Sequence, residues 1–222
     1  MSNIQLLHGD CLELMRDMTD KSIAVCVTDP PYGIGESGDP KAKNSNARRS
    51  HNGVKVIDYG AYAWDTERIS AAAIDEMRRV STHQVIFGGN YYADLLPASS
   101  SWIVWDKLNS GDFSDCELAW TSHKKAVRKF RYMWNGMIKQ MPEKRYHPTQ
   151  KPLALMKWVI ENYTQPGDTV LDPYAGSFTT GIACVMLGRS FIGIERDANY
   201  FEIGQRRIAG AQMQPQLFTE AA

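Results

Sequence analysis

One stretch constrains this chain more than any other. Ser22-Ile23-Ala24-Val25-Cys26-Val27-Thr28 runs straight into Asp29-Pro30-Pro31-Tyr32. The first seven residues are nearly all apolar and rich in β-branched side chains, as a strand buried on both faces of a parallel sheet should be. The two prolines cannot donate to a β-ladder, so the strand must stop there. The chain therefore places a rigid acid–aromatic turn at the carboxyl end of a central strand, the edge where open α/β sheets bind ligands. The Asp29 carboxylate and the Pro30 carbonyl present two acceptors to one donor group, such as an exocyclic NH₂. Pro31 stiffens the turn, and Tyr32 supplies a flat face on which a planar ring can stack.

The flanking pattern alternates strands with helices. Ile4–Leu7 reads as a short strand, and Asp10–Met18 as a helix with apolar Leu12, Leu14, Met15 and Met18. Residues 33–65 are loop-like. Ile69, Ala73, Met77 and Val80 mark one face of a helix. Gln84–Phe87, Trp102–Trp105 and Glu117–Thr121 read as strands. Pro152 fits the first turn of a helix running to about Tyr163. Thr169–Leu171 is a strand, followed by a small-residue loop and a helix through about Leu187. Phe191–Ile194 is the next strand, and Asp197 is an N-cap for a last helix reaching about Ile208. After Gly210 the tail reads as frayed. Such alternation predicts an α/β fold: a mostly parallel, doubly wound sheet with helices on both faces. With 222 residues, one domain can hold the whole core.

Two further constellations carry chemistry. Asp172-Pro173-Tyr174-Ala175-Gly176-Ser177-Phe178-Thr179 follows a strand and opens a helix. Small residues there let a ligand approach backbone N–H groups at a helix N-terminus. Glu195 ends the next strand, about 20 residues on, where an acid can accept hydrogen bonds from ribose hydroxyls. His147-Pro148-Thr149-Gln150-Lys151-Pro152 opens another helix, and its Thr, Gln and Lys donors suit a carboxylate.

Charge and cysteines narrow the partners. Formal net charge is zero, yet Lys41–Lys55 carries five basic residues and no acid, and His123–Lys151 carries a net +8. Phe130, Tyr132, Trp134 and Tyr146 are interleaved with the second stretch. Basic side chains neutralise phosphates and aromatics stack on unpaired bases, so one side of the protein is expected to face a nucleic acid. Cys11, Cys26, Cys116 and Cys184 are scattered without a CxxC pair, and the histidines lack ligand spacing. Free thiols in a reducing cytoplasm, with no metal, are expected. No secretory signal or membrane-spanning stretch is read.

Taken in order, Asp29-Pro30-Pro31-Tyr32, His147–Pro152 and the Asp172–Thr179 loop resemble the S-adenosylmethionine-dependent DNA amino-methyltransferases. These methylate N6 of adenine or N4 of cytosine. The catalytic motif precedes the cofactor loop, which is similar to the β class of that family. His8-Gly9-Asp10-Cys11-Leu12 resembles its short motif before the catalytic turn, and the likeness spans nearly all of Ile4–Ile208. The resemblance implies a Rossmann-like methyltransferase fold, S-adenosylmethionine as cofactor and double-stranded DNA with a flipped target base as partner. A homodimer and a cytoplasmic protein of bacterial or phage origin are also implied. It assigns Asp29, Pro30, Pro31 and Tyr32 to the catalytic pocket. Asp10 and Cys11 would sit near the cofactor's adenine; Asp172, Gly176, Ser177 and Thr179 would line its loop. Glu195 would hold the ribose, and Thr149, Gln150 and Lys151 the methionine carboxylate. It further implies a mobile basic loop over 33–65 and a small target-recognition insertion over 109–145. Phe178 stands where the family usually has glycine, so a ring beside the cofactor is expected.

The adenine reading is favoured because DPPY is tied more to adenine and SPPY more to cytosine. N4-cytosine methylation is the first alternative. RNA or protein-glutamine methyltransferases usually place the cofactor loop first, which this chain does not. A nucleic-acid binder impaired at Phe178 is the third.

Overall fold

The computed structural model describes residues 2–34, 65, 67–109, 114–135 and 138–213. All five basic residues of Lys41–Lys55, and most of the expected 33–65 loop, lie outside that range. Strand β1 (Ile4–His8) leads into a short helix, α1 (Cys11–Arg16), whose first turn is capped by the Asp10 carboxylate accepting from Leu12 N at 2.9 Å. β2 (Ile23–Thr28) follows, buried along almost its whole length. Helix α2 (Ala71–Val80) is capped by Ser70 and buries Ala73, Ile74, Met77 and Val80, one stripe at helical spacing. It passes directly into β3 (Ser81–Phe87), after which a 3-10 turn spans Gly89–Tyr92. Strands β4 (Trp102–Asp106), β5 (Cys116–Thr121) and β6 (Arg128–Arg131) come next, then a small hairpin of β7 (Trp134–Asn135) and β8 (Ile138–Lys139). The remainder is α3 (Leu153–Tyr163), β9 (Thr169–Asp172), α4 (Thr179–Met186), β10 (Ser190–Glu195) and α5 (Ala198–Met213).

Eight strands form one sheet in the order β1-β10-β9-β2-β3-β5-β4-β6. The first five are mutually parallel, and β5 alone runs antiparallel to both of its neighbours. Side chains alternate across the buried strands. Val25, Val27, Val85 and Phe87 pack on one face with Leu155 and Val159 of α3, Ile182 of α4 and Ile208 of α5. Cys26 and Ile86 pack on the other face with Met15 of α1 and Ile74 and Met77 of α2. Each such side chain, fully removed from water, contributes roughly 1.5–3 kcal/mol. The doubly wound α/β expectation is thus met, with three helices on one face and two on the other.

Several local expectations change. Within the span 109–145, β5 and β6 belong to the main sheet, and the β7–β8 hairpin forms a separate two-stranded sheet. β6 escapes notice in the sequence because Arg-Lys-Phe-Arg lacks an apolar alternation. It is the sheet's last strand, where exposed basic side chains discourage pairing with another chain. Pro152 is the cap residue of α3 rather than part of its first turn. The last helix continues past Gly210 to Met213.

Phe178 also departs from expectation. Its backbone is left-handed at φ 61°, ψ 34°, and its side chain is fully buried. The ring does not flank a cofactor site; it turns into the core beside Phe191 and Phe201, with centroids 6.4 and 6.1 Å away. Gly204 of α5 makes the room, since a Cβ there would come within 2.5 Å of Phe178 Cε2.

Candidate active site

Register across the sheet brings the motifs together. Cys26 of β2 pairs with Leu171 of β9, Gly193 of β10 with Asp172, and His8 of β1 with Glu195. Counting forward, Asp29, Tyr174 and Glu195 come level along one carboxyl edge, with Asp10 two residues past β1. A cleft of about 600 Å³ opens there, lined by Asp10, Cys11, Asp29, Pro31, Thr149, Gln150, Lys151, Asp172, Gly176, Ser177, Thr179 and Glu195 among others. Phe178 is not part of its wall.

A buried hydrogen bond ties the halves of the cleft. Thr28 Oγ1 donates to Asp172 Oδ1 at 2.8 Å, and Thr180 Oγ1 donates to Oδ2 at 2.6 Å. Tyr174 N donates to Oδ1 at 3.2 Å. Asp172 is 3% exposed, and its oxygens are largely engaged by the protein itself. Burial pushes its carboxyl up to about 6, against the pull of those donors.

Glu195 is held from below by two backbone amides, Gly176 N at 2.8 Å and Asp197 N at 2.7 Å. Burial still raises its carboxyl to about 7. His147 stands beside the same loop, edge-on to Tyr200 at 4.3 Å, and burial holds it down at about 4, so its ring is neutral.

The His147–Pro152 segment behaves differently from the sequence expectation. Gln150 Oε1 accepts from Tyr146 N at 2.9 Å and Ser177 Oγ at 3.1 Å. Its Nε2 donates to Glu143 Oε1 at 2.9 Å and to the Lys144 carbonyl at 3.2 Å. All four hydrogen-bonding positions of the amide are filled from within the chain. Gln150 therefore clamps the segment to the Ser177 loop. Thr149 bonds the His147 ring and borders the cleft. Lys151 reaches the Asp29–Tyr32 turn, where its Nζ donates to Asp29 Oδ2 at 2.6 Å.

Around the turn, Tyr32 OH donates to Asp29 Oδ1 at 2.5 Å. The Tyr32 ring stacks on Tyr91, centroids 4.7 Å apart and planes 16° apart. Gly88 lies against that ring at φ 68°, leaving no space for a Cβ. The buried Tyr92 hydroxyl donates toward the Pro30 and Pro31 carbonyls at 3.1 and 2.6 Å, fixing their direction. Burial raises the Asp29 carboxyl; Lys151 draws it back down and Glu117 pushes it up, leaving it above the ordinary range. The sequence marks Glu117 only as part of a strand, and neither Glu117 nor Tyr92 as a site residue. Glu117 begins the antiparallel strand, so it is delivered to the same edge as the ends of the parallel strands.

A turn of this kind beside a nucleoside-sized cleft defines a class of group-transfer enzyme, and sequence comparison agrees with it. The chain belongs to the S-adenosylmethionine-dependent DNA amino-methyltransferase family. The family model for DNA methylase matches residues 105–206. Among curated proteins, the chain is 54% identical to the DNA adenine methyltransferase YhdJ of Escherichia coli (strain K12), over 91% of this chain and 82% of that one. It is 29% identical to the Type II methyltransferase M2.MboI of Moraxella bovis, over 92% and 87%. Among solved structures, the M1.HpyAVI–SAM complex superposes with a TM-score of 0.56 at 25% identity, covering 92% of this chain and 98% of that one. Among the described residues, no helix is long and apolar enough to cross a membrane.

Proposed function

We propose that this chain transfers a methyl group from S-adenosylmethionine to the exocyclic N6 of adenine in DNA. The observation that carries the reading is the shared cleft: Asp29 and Pro31 at one end, Gly176 and Glu195 at the other. The name of the 54%-identical relative supports adenine as the base.

The residues fit the cofactor. Glu195 is a half-buried acid whose two oxygens accept from the Gly176 and Asp197 amides, one each, so it has acceptor capacity left for a ribose diol. Asp10, Cys11, Thr149, Gly176, Ser177 and Thr179 border the same space and would line the rest of the nucleoside. When bound, the cofactor supplies an electrophilic methyl on a positively charged sulfur.

The catalytic turn acts on the nucleophile. The amino nitrogen of adenine is weak because its lone pair is delocalised into the ring. Hydrogen bonds from that NH₂ to Asp29 and the Pro30 carbonyl localise the pair toward the methyl. Positioning supplies most of the rate, and no covalent intermediate on the protein is needed. The base must leave the duplex, at about a few kcal/mol. Tyr32 has its ring stacked on Tyr91, so the exposed Tyr91 ring is the one left for aromatic contact with a base, at roughly 1–3 kcal/mol, which offsets part of that. Arg128, Lys129 and Arg131 of β6, with the neighbouring hairpin, serve as phosphate contacts in this reading. So do the basic residues within 33–65. The homodimer implied by the family resemblance is a matter for sedimentation of the protein alone and on DNA.

Methyl incorporation into adenine-containing duplex DNA by the parent and by Asp29→Ala tests the reading. Loss of activity in the variant, with N6-methyladenine as the nucleoside product of the parent, is expected. Parental activity in Asp29→Ala removes that residue from its role, and N4-methylcytosine as product replaces adenine by cytosine.

A further inference from the structure

The resting catalytic pocket is bonded to itself. Tyr32 OH occupies Asp29 Oδ1, and Lys151 Nζ occupies Oδ2 at 2.6 Å. An incoming amino group must compete with both donors for the Asp29 oxygens, in a corner where the Lys151 side chain is 8% exposed and that of Asp29 20%. Tyr32 is poorly placed to move, pinned between Tyr91 and the Gly88 backbone. Lys151 is well placed: its ammonium sits on an unbranched stem, and a second acid lies within reach. Glu117 Oε2 is 3.1 Å from Lys151 Nζ. That oxygen is buried and has no well-aligned hydrogen-bond donor among the described residues. The other Glu117 oxygen, Oε1, is 2.5 Å from Lys107 Nζ. Lys151 is only 8% exposed, with the Tyr32 and Phe87 rings 5.6 and 5.5 Å from Nζ, so water cannot readily replace either acid.

We propose that Lys151 is a movable counter-ion of Asp29, keeping the acid ionised at rest and turning onto Glu117 when the amino group of the target base arrives. The proposal rests on the cleft being the methyl-transfer site. Lys107 partly neutralises Glu117, which leaves Asp29 the stronger partner until an N–H donor replaces the ammonium there. Lys151 and Glu117 are then positioning residues, and Lys151 is not a ligand of the cofactor carboxylate. The charged and titratable groups facing Asp29 are Lys151, Glu117 from β5, Tyr32 from its own turn, Tyr92 from the 3-10 turn and Asp172 from β9. Removing Lys151 leaves Asp29 with burial and two acids and nothing opposing them but the Tyr32 hydroxyl.

The test follows the Asp29 carboxyl by ¹³C NMR against pH, its resonance identified by loss in Asp29→Asn. S-adenosylmethionine affinity and kcat on DNA are measured on the same proteins. In Lys151→Gln the Asp29 midpoint is expected to rise by about one pH unit or more, with cofactor Kd within about threefold of the parent. In Glu117→Gln the midpoint falls and kcat drops at unchanged Kd, because the ammonium no longer has a second acid to turn to. Opposite signs from the two variants follow from fixed charges alone; the kcat loss at unchanged Kd in Glu117→Gln is what an ammonium that stays in place would not produce. Cofactor Kd weakened about tenfold or more in Lys151→Gln, with the Asp29 midpoint unmoved, overturns the proposal and makes Lys151 a carboxylate ligand. Parental kcat in Glu117→Gln overturns it as well, and that variant decides alone if Lys151→Gln fails to fold. Asp29 midpoints that move as stated in the two variants, with a parent that methylates no DNA, defeat the functional reading instead, which separates the two failures.

Discussion

Phe178→Gly is the sharpest probe of how the cofactor loop is built. The substitution restores the residue the family usually carries, so a reading that places the ring beside the cofactor predicts tighter binding. The structure predicts the reverse emphasis. Phe178 is fully buried between Phe191, Phe201 and Gly204, and it does not line the cleft. Emptying a site of that kind costs about 3–5 kcal/mol. Relief of the left-handed backbone returns roughly 1–2 kcal/mol, and the added freedom of glycine in the unfolded chain takes back about 0.4–1 kcal/mol. The net is a loss of about 3 kcal/mol, or roughly 6–12 °C in Tm for a domain of this size. Calorimetry with and without S-adenosylmethionine is the assay, with cofactor Kd taken where both proteins are folded. That Kd should change by less than about threefold, under 1 kcal/mol. Gly204→Ala adds an internal control. In the parent its Cβ meets the Phe178 ring, and overpacking of this kind costs about 1–3 kcal/mol. In Phe178→Gly the ring is gone, and the same change becomes neutral or stabilising by up to about 1 kcal/mol. A parental Tm with a tenfold change in Kd, or additive effects of the two substitutions, refutes this account.

Other outcomes follow from the same geometry. With Glu195 at about 7, its carboxylate is mostly protonated below neutrality and must ionise to accept both ribose hydroxyls. Cofactor affinity should therefore rise about tenfold per pH unit up to near 6.5 and level off above about 7.5, with a proton released on binding at pH 6. A flat calorimetric profile would remove Glu195 from ribose binding. Thr28→Val deletes one donor to buried Asp172 and should lower stability by about 1–3 kcal/mol; an unchanged denaturation midpoint would show that the clamp between β2 and β9 is dispensable. Replacing Arg128, Lys129 and Arg131 with glutamine should lower the slope of log K against log salt by about 0.9 for each phosphate no longer neutralised, leaving cofactor Kd alone. An unaltered slope would place DNA elsewhere.

Much of the site was legible from local chemistry. A β-branched run ending in two prolines can only be a buried strand with an abrupt end, so the position of Asp29 at a sheet edge needed no tertiary information. The same holds for Glu195 at the end of Ser190–Glu195 and for the small-residue loop around Gly176. The cap Asp197 was readable too, because a cap bonds amides two or three residues away. What the sequence could not assign were partners chosen across the sheet. Lys151 is 122 residues from Asp29, and only the tertiary fold decides that it meets that acid. Glu117 joins them because β5 runs antiparallel, which no local pattern records. Phe178 turns inward because Gly204, 26 residues on, leaves a hole for it. Local periodicity and backbone chemistry determine where strands stop and helices start. Which side chains then share a volume depends on strand order and direction, and those are settled only when the two core faces close.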